Sequence, residues 1–186
     1  IAAIAIASGM SALRFEYMAL PIIIAMIGLI ASIIGIRSVA ILEHMDPASV
    51  LRCSTFISAG AMLFASFFVI KIMGLPSGIF GALFIGCVAG IAIGLITEYY
   101  TKGKPILQIA EASKTGVATV IITGMAVAME SAALPVLAIV IAISFSAKAA
   151  GLYGIALAAV SMLSVASDRF SNIEDFFDVV RHLMTC

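Results

Sequence analysis

Five long apolar runs limit what this chain can fold into more than any other feature. They cover residues 17–36, 53–70, 77–97, 115–147 and 149–167, and Glu130 is the one charge inside them. A helix needs about 20 mostly apolar residues to cross roughly 30 Å of hydrocarbon, where its backbone must satisfy its own hydrogen bonds. The sequence therefore predicts an all-α, polytopic transmembrane helical bundle, which is a multi-pass integral membrane protein in the lipid bilayer.

The two ends of the chain differ from these runs. Residues 1–13 are apolar but short, which predicts an N-terminal half-helix. Residues 168–186 are polar, with apolar side chains at helical spacing, which predicts an amphipathic tail after a transmembrane region at 1–167. The fourth run is too short for two spans and a turn. It therefore favours one long, tilted helix with a bend at Pro135.

Charges are few, and their positions matter more than their sum. The chain is 11% charged, well below the share of about 25% in soluble domains. Its net charge of zero gives no overall attraction for nucleic acid, so no nucleic-acid partner is predicted. Cytoplasmic loops carry excess Lys and Arg, and one side of the predicted topology has more of them. That side, predicted to be cytoplasmic, holds Arg37, Arg52, Lys102, Lys104, Lys114, Arg169 and Arg181, against Arg14, Lys71 and Lys148 opposite.

Small and polar residues mark two of the spans. Gly86, Gly90 and Gly94 recur at every fourth residue, which lets a neighbouring helix approach closely and predicts tight helix packing. In the fourth span, Thr119, Thr123 and Glu130 share one helical face. A carboxylate in a membrane is costly unless it faces protein, water or a cation. Two interpretations stay open: Glu130 lies on an ion or proton path, or it is a buried structural carboxyl that hydroxyls satisfy.

The fifth span places Tyr153, Ser161, Ser164 and Asp168 on one face that leads to the predicted cytoplasmic end. No Ser/His/Asp, phosphate-loop or zinc pattern occurs, and the three cysteines lie far apart. From the residues themselves, no catalytic, cofactor-binding or metal-ligating residue is predicted.

Four motifs in order resemble one family. They are TEYYT at 97–101, EASKTGVAT at 111–119, GMAVAMESAALPV at 124–136 and YGIALAAVSMLS at 153–164. Together with LPIIIAMIGLIASIIG at 20–35, they make residues 1–164 similar to membrane-bound inorganic pyrophosphatases that translocate protons or sodium ions. The tail departs from that pattern.

This resemblance implies a central fragment of a sixteen-helix, homodimeric pump. In that family an inner ring of six helices holds pyrophosphate with Mg²⁺ between aspartates and phosphates, and conducts H⁺ or Na⁺. The first four full spans here would belong to the outer ring and the fifth to the inner ring. The family's catalytic aspartates fall outside this sequence, so no catalytic residue carries over and the fragment is expected to be inactive alone. The alternatives are a non-enzymatic transporter or channel segment, or a truncated assembly partner.

Overall fold

The computed structural model describes the backbone of residues 1–9, 14–41 and 47–185, and the side chains of 1–9, 15–35, 37 and 52–166. Within these ranges all regular structure is helical, which confirms the all-α prediction. The helices are α1 (Ala2–Ser8), α2 (Arg14–Ile41), α3 (Pro47–Ile72), α4 (Ser77–Lys102), α5 (Lys104–Ala112) and α6 (Val117–Thr185).

Four stretches of the described chain are long and apolar enough to cross a membrane. They are Phe15–Gly35, Arg52–Ile72, Ser77–Ala112 and Val117–Ala166, which confirms a multi-pass membrane protein. The last stretch contains both the fourth and the fifth predicted runs. The backbone of the predicted tail is helical to Thr185. Its amphipathic face, with Asp168, lies outside the described side chains.

The chain reverses inside α6. Ala150 (φ −148°, ψ 26°) and Gly151 (φ 62°, ψ −151°) leave helical geometry, and a positive φ of this kind favours glycine. A Cβ built on Gly154 would lie 2.7 Å from the carbonyl oxygen of Ser146. In a straight helix these two residues would be about 12 Å apart. We therefore call residues 117–149 the first arm of α6 and residues 152–166 the second arm.

The reversal separates the fourth predicted span from the fifth, close to the predicted boundary. The backbone does not leave helical geometry at Pro135, where the sequence predicted a bend. The large change of direction within α6 comes from the dihedral angles at Ala150 and Gly151.

The two arms run in opposite directions along α4. Gly86 faces Ala158, and Gly90 faces Met162, so the second arm is parallel to α4. The first arm returns along α4 in the antiparallel sense, because Tyr100 near the end of α4 reaches Glu130.

The core lies between α2, α3, α4 and the second arm. Tyr153 connects the second arm to α2: its hydroxyl donates to the Tyr17 carbonyl oxygen at 2.7 Å, and the two rings meet edge to face at 5.3 Å. Fully buried side chains fill the space around this pair: Leu20, Ile24, Met62, Leu83 and Leu157. The first arm contributes little to this core, because Ala142 and Ser146 are its buried residues.

Short connections position the helices. Gly74 adopts φ 65° in the turn between α3 and α4, and Pro76 precedes the first residue of α4. Proline also stands at the start of α5, where its missing amide hydrogen leaves no helical hydrogen bond unmade. Helix α5 lies between the third and fourth predicted spans.

Candidate functional site

The strongest polar candidate of the sequence, Glu130, has a tyrosine partner on α4. The Tyr100 hydroxyl donates to Glu130 Oε1 at 3.3 Å. Tyr100 is buried and Glu130 is exposed. The bond therefore attaches the first arm to the last turn of α4.

The position of Glu130 along the bundle axis follows from the reversal of the chain at Ala150 and Gly151. Gly78 touches Ala149 at one end of the bundle. Glu130 lies 19 residues before Ala149, about 28 Å along the arm, and Tyr100 lies 22 residues after Gly78, about 33 Å along α4. Because the first arm runs antiparallel to α4, both residues lie at the same end of the bundle. Glu130 thus lies level with the charged end of α4 rather than beside its apolar middle.

The threonines of the same face have other partners. Thr119 Oγ1 bonds to the carbonyl oxygens of Gly116 at 2.7 Å and Ala112 at 3.0 Å, and lies 2.8 Å from Thr115 Oγ1. These bonds stabilise the junction of α5 and α6. Thr123 is half-buried. The structure therefore does not bring Thr119 to the carboxylate of Glu130, which is eleven residues and about 16 Å further along the helix.

The glycine ridge of α4 faces the second arm. A Cβ on Gly86 would overlap the carbonyl oxygen of Ala158 and lie 2.7 Å from its Cα. A Cβ on Gly90 would lie 3.3 Å from Val165 Cβ. Gly94, one turn further, is half-buried. Gly78, which the sequence-based prediction did not include, extends the same ridge to Ala149.

Polar side chains of the fifth span bond to neighbouring helices. Ser161 Oγ donates to the Leu83 carbonyl oxygen at 2.9 Å, and both this bond and that of Tyr153 are buried. Ser164 lies against Gly28, where a Cβ would be 2.9 Å from Ser164 Cβ. This face is a packed contact with α2 and α4 along the described residues.

A charged cluster that was not predicted from the sequence lies at the same end of the bundle. Arg52 Nε donates to both carboxylate oxygens of Glu98, at 3.0 and 3.1 Å, and Lys102 Nζ lies 3.7 Å from Oε1. The Glu98 side chain is only 10% exposed. The Glu98–Lys102 pair has the i,i+4 spacing of a helix, which is a signal in the sequence. Arg52 lies 46 residues away, so its partner emerges only when α3 and α4 pack.

Among the described residues, no group of three or more His, Cys, Asp or Glu side chains could hold a metal ion. The carboxylates named above are each bonded to tyrosine, arginine or lysine. They do not form the oxygen-rich, multi-carboxylate arrangement that Mg²⁺ prefers.

Comparison with known proteins gives a consistent result. The model of a family described as inorganic H⁺ pyrophosphatase matches residues 1–175, which extends past the resemblance that the motifs carry to residue 164. A relative from Caldanaerobacter subterraneus subsp. tengcongensis, named a K(+)-insensitive pyrophosphate-energized proton pump, is 39% identical over 83% of this chain and 26% of its own length.

Two further relatives differ in the ion that their names give. The Thermotoga maritima protein, a K(+)-stimulated pyrophosphate-energized sodium pump, is 34% identical over 83% of this chain and 24% of its length. The Moorella thermoacetica protein, K(+)-insensitive pyrophosphate-energized proton pump 2, is 36% identical over 79% of this chain and 24% of its length. The chain spans about a quarter of the length of the curated relatives that it matches.

Proposed function

Because the chain belongs to the inorganic H⁺ pyrophosphatase family, we propose that it is a segment of a pump that couples pyrophosphate hydrolysis to transport of H⁺ or Na⁺. The observation that carries this proposal is the family match over residues 1–175, together with relatives named as proton and sodium pumps. The complete pump would be a homodimer in a lipid bilayer, which the mass of the detergent-solubilised complete protein would test.

The part of the pump described here supplies helix packing rather than hydrolytic groups. The second arm is fixed to α2 and α4 by buried hydrogen bonds from Tyr153 and Ser161. Hydrolysis in the complete pump would use Mg²⁺ held by carboxylates, and Mg²⁺ would offset the negative charge of pyrophosphate. Those ligands would come from residues outside the described part of this chain.

The direct test is phosphate release by the purified 186-residue chain with Mg²⁺ and pyrophosphate. We expect no turnover above a sample that lacks protein, because the carboxylate site belongs to other segments. A complete pump that carries this segment, assayed in the same detergent, is the positive control. Sustained release by the 186-residue chain would overturn the assignment of the hydrolytic groups to other segments.

Within the pump we propose that Glu130 takes part in the ion path, at the predicted cytoplasmic end. The hydrogen bond from Tyr100 and the position of the exposed Glu130 side chain at the charged end of α4 support this proposal, since a carboxylate there can exchange ions with water. The competing interpretation, a structural carboxyl, requires only the Tyr100 bond.

Ion transport by a complete pump with Glu130→Gln separates the two interpretations. We expect at least a five-fold loss of ions moved per pyrophosphate hydrolysed, because the amide carries no charge yet still accepts the Tyr100 bond. Glu111→Gln on the exposed face of α5 is the matched control. Unchanged transport by Glu130→Gln, with hydrolysis intact, would remove Glu130 from the path.

A further inference from the structure

The Arg52–Glu98–Lys102 cluster carries more positive than negative charge and leaves its cations at the surface. Glu98 is the acidic member, and both of its oxygens already accept from Arg52 Nε. The side chains of Arg52 and Lys102 are 54% and 56% exposed, whereas that of Glu98 is 10% exposed. The carboxylate therefore faces the protein and the two cations face outward.

Among the described residues, the ion pair with Glu98 uses one of the three guanidinium nitrogens of Arg52. A guanidinium has five N–H donors, and the two hydrogen bonds described for Arg52 both use Nε. Its two terminal nitrogens, with four hydrogens, take no part in these two bonds. Because the carboxylate fixes the plane of the guanidinium, these donors are held in place before a ligand arrives. Arginine in such a setting suits the oxygens of a phosphate.

A depression beside these cations has room for a phosphate group. Its volume is about 310 Å³, and it is open on one side. Part of the lining is apolar, from Leu95 and the exposed ring of Tyr99, and part is cationic. The lining residues are Arg52, Leu95, Glu98, Tyr99, Lys102 and Gly103.

The depression lies where the apolar run of α4 ends and α5 begins. Ile106 and Leu107 on α5 are exposed, 44% and 63%, and Lys104 precedes them. Exposed apolar residues next to lysines are typical of a helix at the boundary between headgroups and acyl chains. A ligand in this place would have its phosphate at the cations and its apolar part along Leu95 and Tyr99.

We propose that this depression, which we call the Arg52 groove, binds the headgroup phosphate of an anionic phospholipid in the predicted cytoplasmic leaflet. Cationic pockets between transmembrane helices on that side bind anionic headgroups, and each Lys or Arg near the surface strengthens the attraction. A soluble phosphate compound shares the phosphate chemistry but has no apolar part to contact Leu95. The lipid therefore uses more of the groove than a free anion.

Native mass spectrometry of the 186-residue chain in detergent, with phosphatidylglycerol or phosphatidylcholine added, tests the proposal. We expect phosphatidylglycerol to be retained at least ten-fold more strongly than phosphatidylcholine. Lys102→Gln, which leaves the Arg52–Glu98 pair intact, should weaken phosphatidylglycerol retention on the order of five-fold. Arg52→Gln should weaken it further. Lys148→Gln, an exposed cation at the opposite end of the bundle, is the control and should change nothing.

Three results would overturn the proposal. The first is equal retention of the two lipids. The second is unchanged phosphatidylglycerol binding by Lys102→Gln, a variant that keeps the Arg52–Glu98 pair and so stays informative if Arg52→Gln does not fold. The third is displacement of the lipid by millimolar inorganic pyrophosphate or phosphate, which would assign the groove to a soluble anion. Weakening of lipid retention by added salt, in contrast, would support it, because salt screens exposed charges.

Discussion

The two arms of α6 have similar apolar composition, yet the structure buries them very differently. The second arm places Tyr153, Leu157, Ser161 and Val165 inside the bundle. The first arm exposes most of its apolar side chains, including Ile121, Met129 and Leu137. Hydropathy therefore reports that both arms suit a membrane, whereas small residues and cross-helix hydrogen bonds decide which arm packs within this chain.

Glycine substitutions give the largest expected difference between the arms. Gly86→Ala places a methyl group against the backbone of Ala158, which cannot move aside as a flexible side chain can. We expect a loss of about 2–3 kcal/mol in the free energy of unfolding. Gly124→Ala on the first arm is the matched control, because nothing lies within 4 Å of its added Cβ.

Unfolding of both variants in mixed detergent micelles, followed by circular dichroism, measures this difference. Gly124→Ala should be neutral or slightly stabilising, since alanine is the better helix former. Equal stability of the two variants would contradict this comparison, because it would mean that the contact between α4 and the second arm adds nothing to the free energy of unfolding.

Serine substitutions give a smaller effect that sharpens the comparison. Ser161 donates across to α4, whereas Ser144 on the first arm donates to the Val140 carbonyl oxygen of its own helix at 2.8 Å. We expect Ser161→Ala to lower the free energy of unfolding by about 0.5–1 kcal/mol. Ser144→Ala should change it by less than about 0.3 kcal/mol, because the helix retains its backbone bonds. The same unfolding titration measures both, and an equal loss would show that the bond between helices has no special weight.

Much of the fold could be predicted from the lengths of the apolar runs. The five runs correspond to α2, α3, α4 and the two arms of α6, because crossing a hydrocarbon layer imposes a minimum length that is visible in the sequence. The reversal at Ala150 and Gly151 was harder to predict. Alanine favours helix, and the direction of a two-residue break depends on the dihedral angles that packing selects.

The partners of the candidate site residues depend on tertiary structure more than the positions of the helices do. Glu130 could be identified as an unusual charge in an apolar run, but its depth followed from the reversal twenty residues later. Of the two cations bonded to Glu98, Arg52 could not be found by spacing, since it comes from another helix. Periodicity assigns a residue to a helix face, and the packing of helices then decides what that face meets.

The hairpin at Ala150–Gly151 also limits how the two arms can move. The turn consists of two residues, and Ser146 lies directly against Gly154. Neither arm can therefore slide along the other at that end. What remains is a hinge-like opening about the turn. Glu130 lies about 30 Å from that hinge, so an opening of about 5° would displace it by roughly 2–3 Å. That displacement is enough to break the 3.3 Å hydrogen bond from Tyr100 to Glu130, so this bond holds the far end of the first arm against α4.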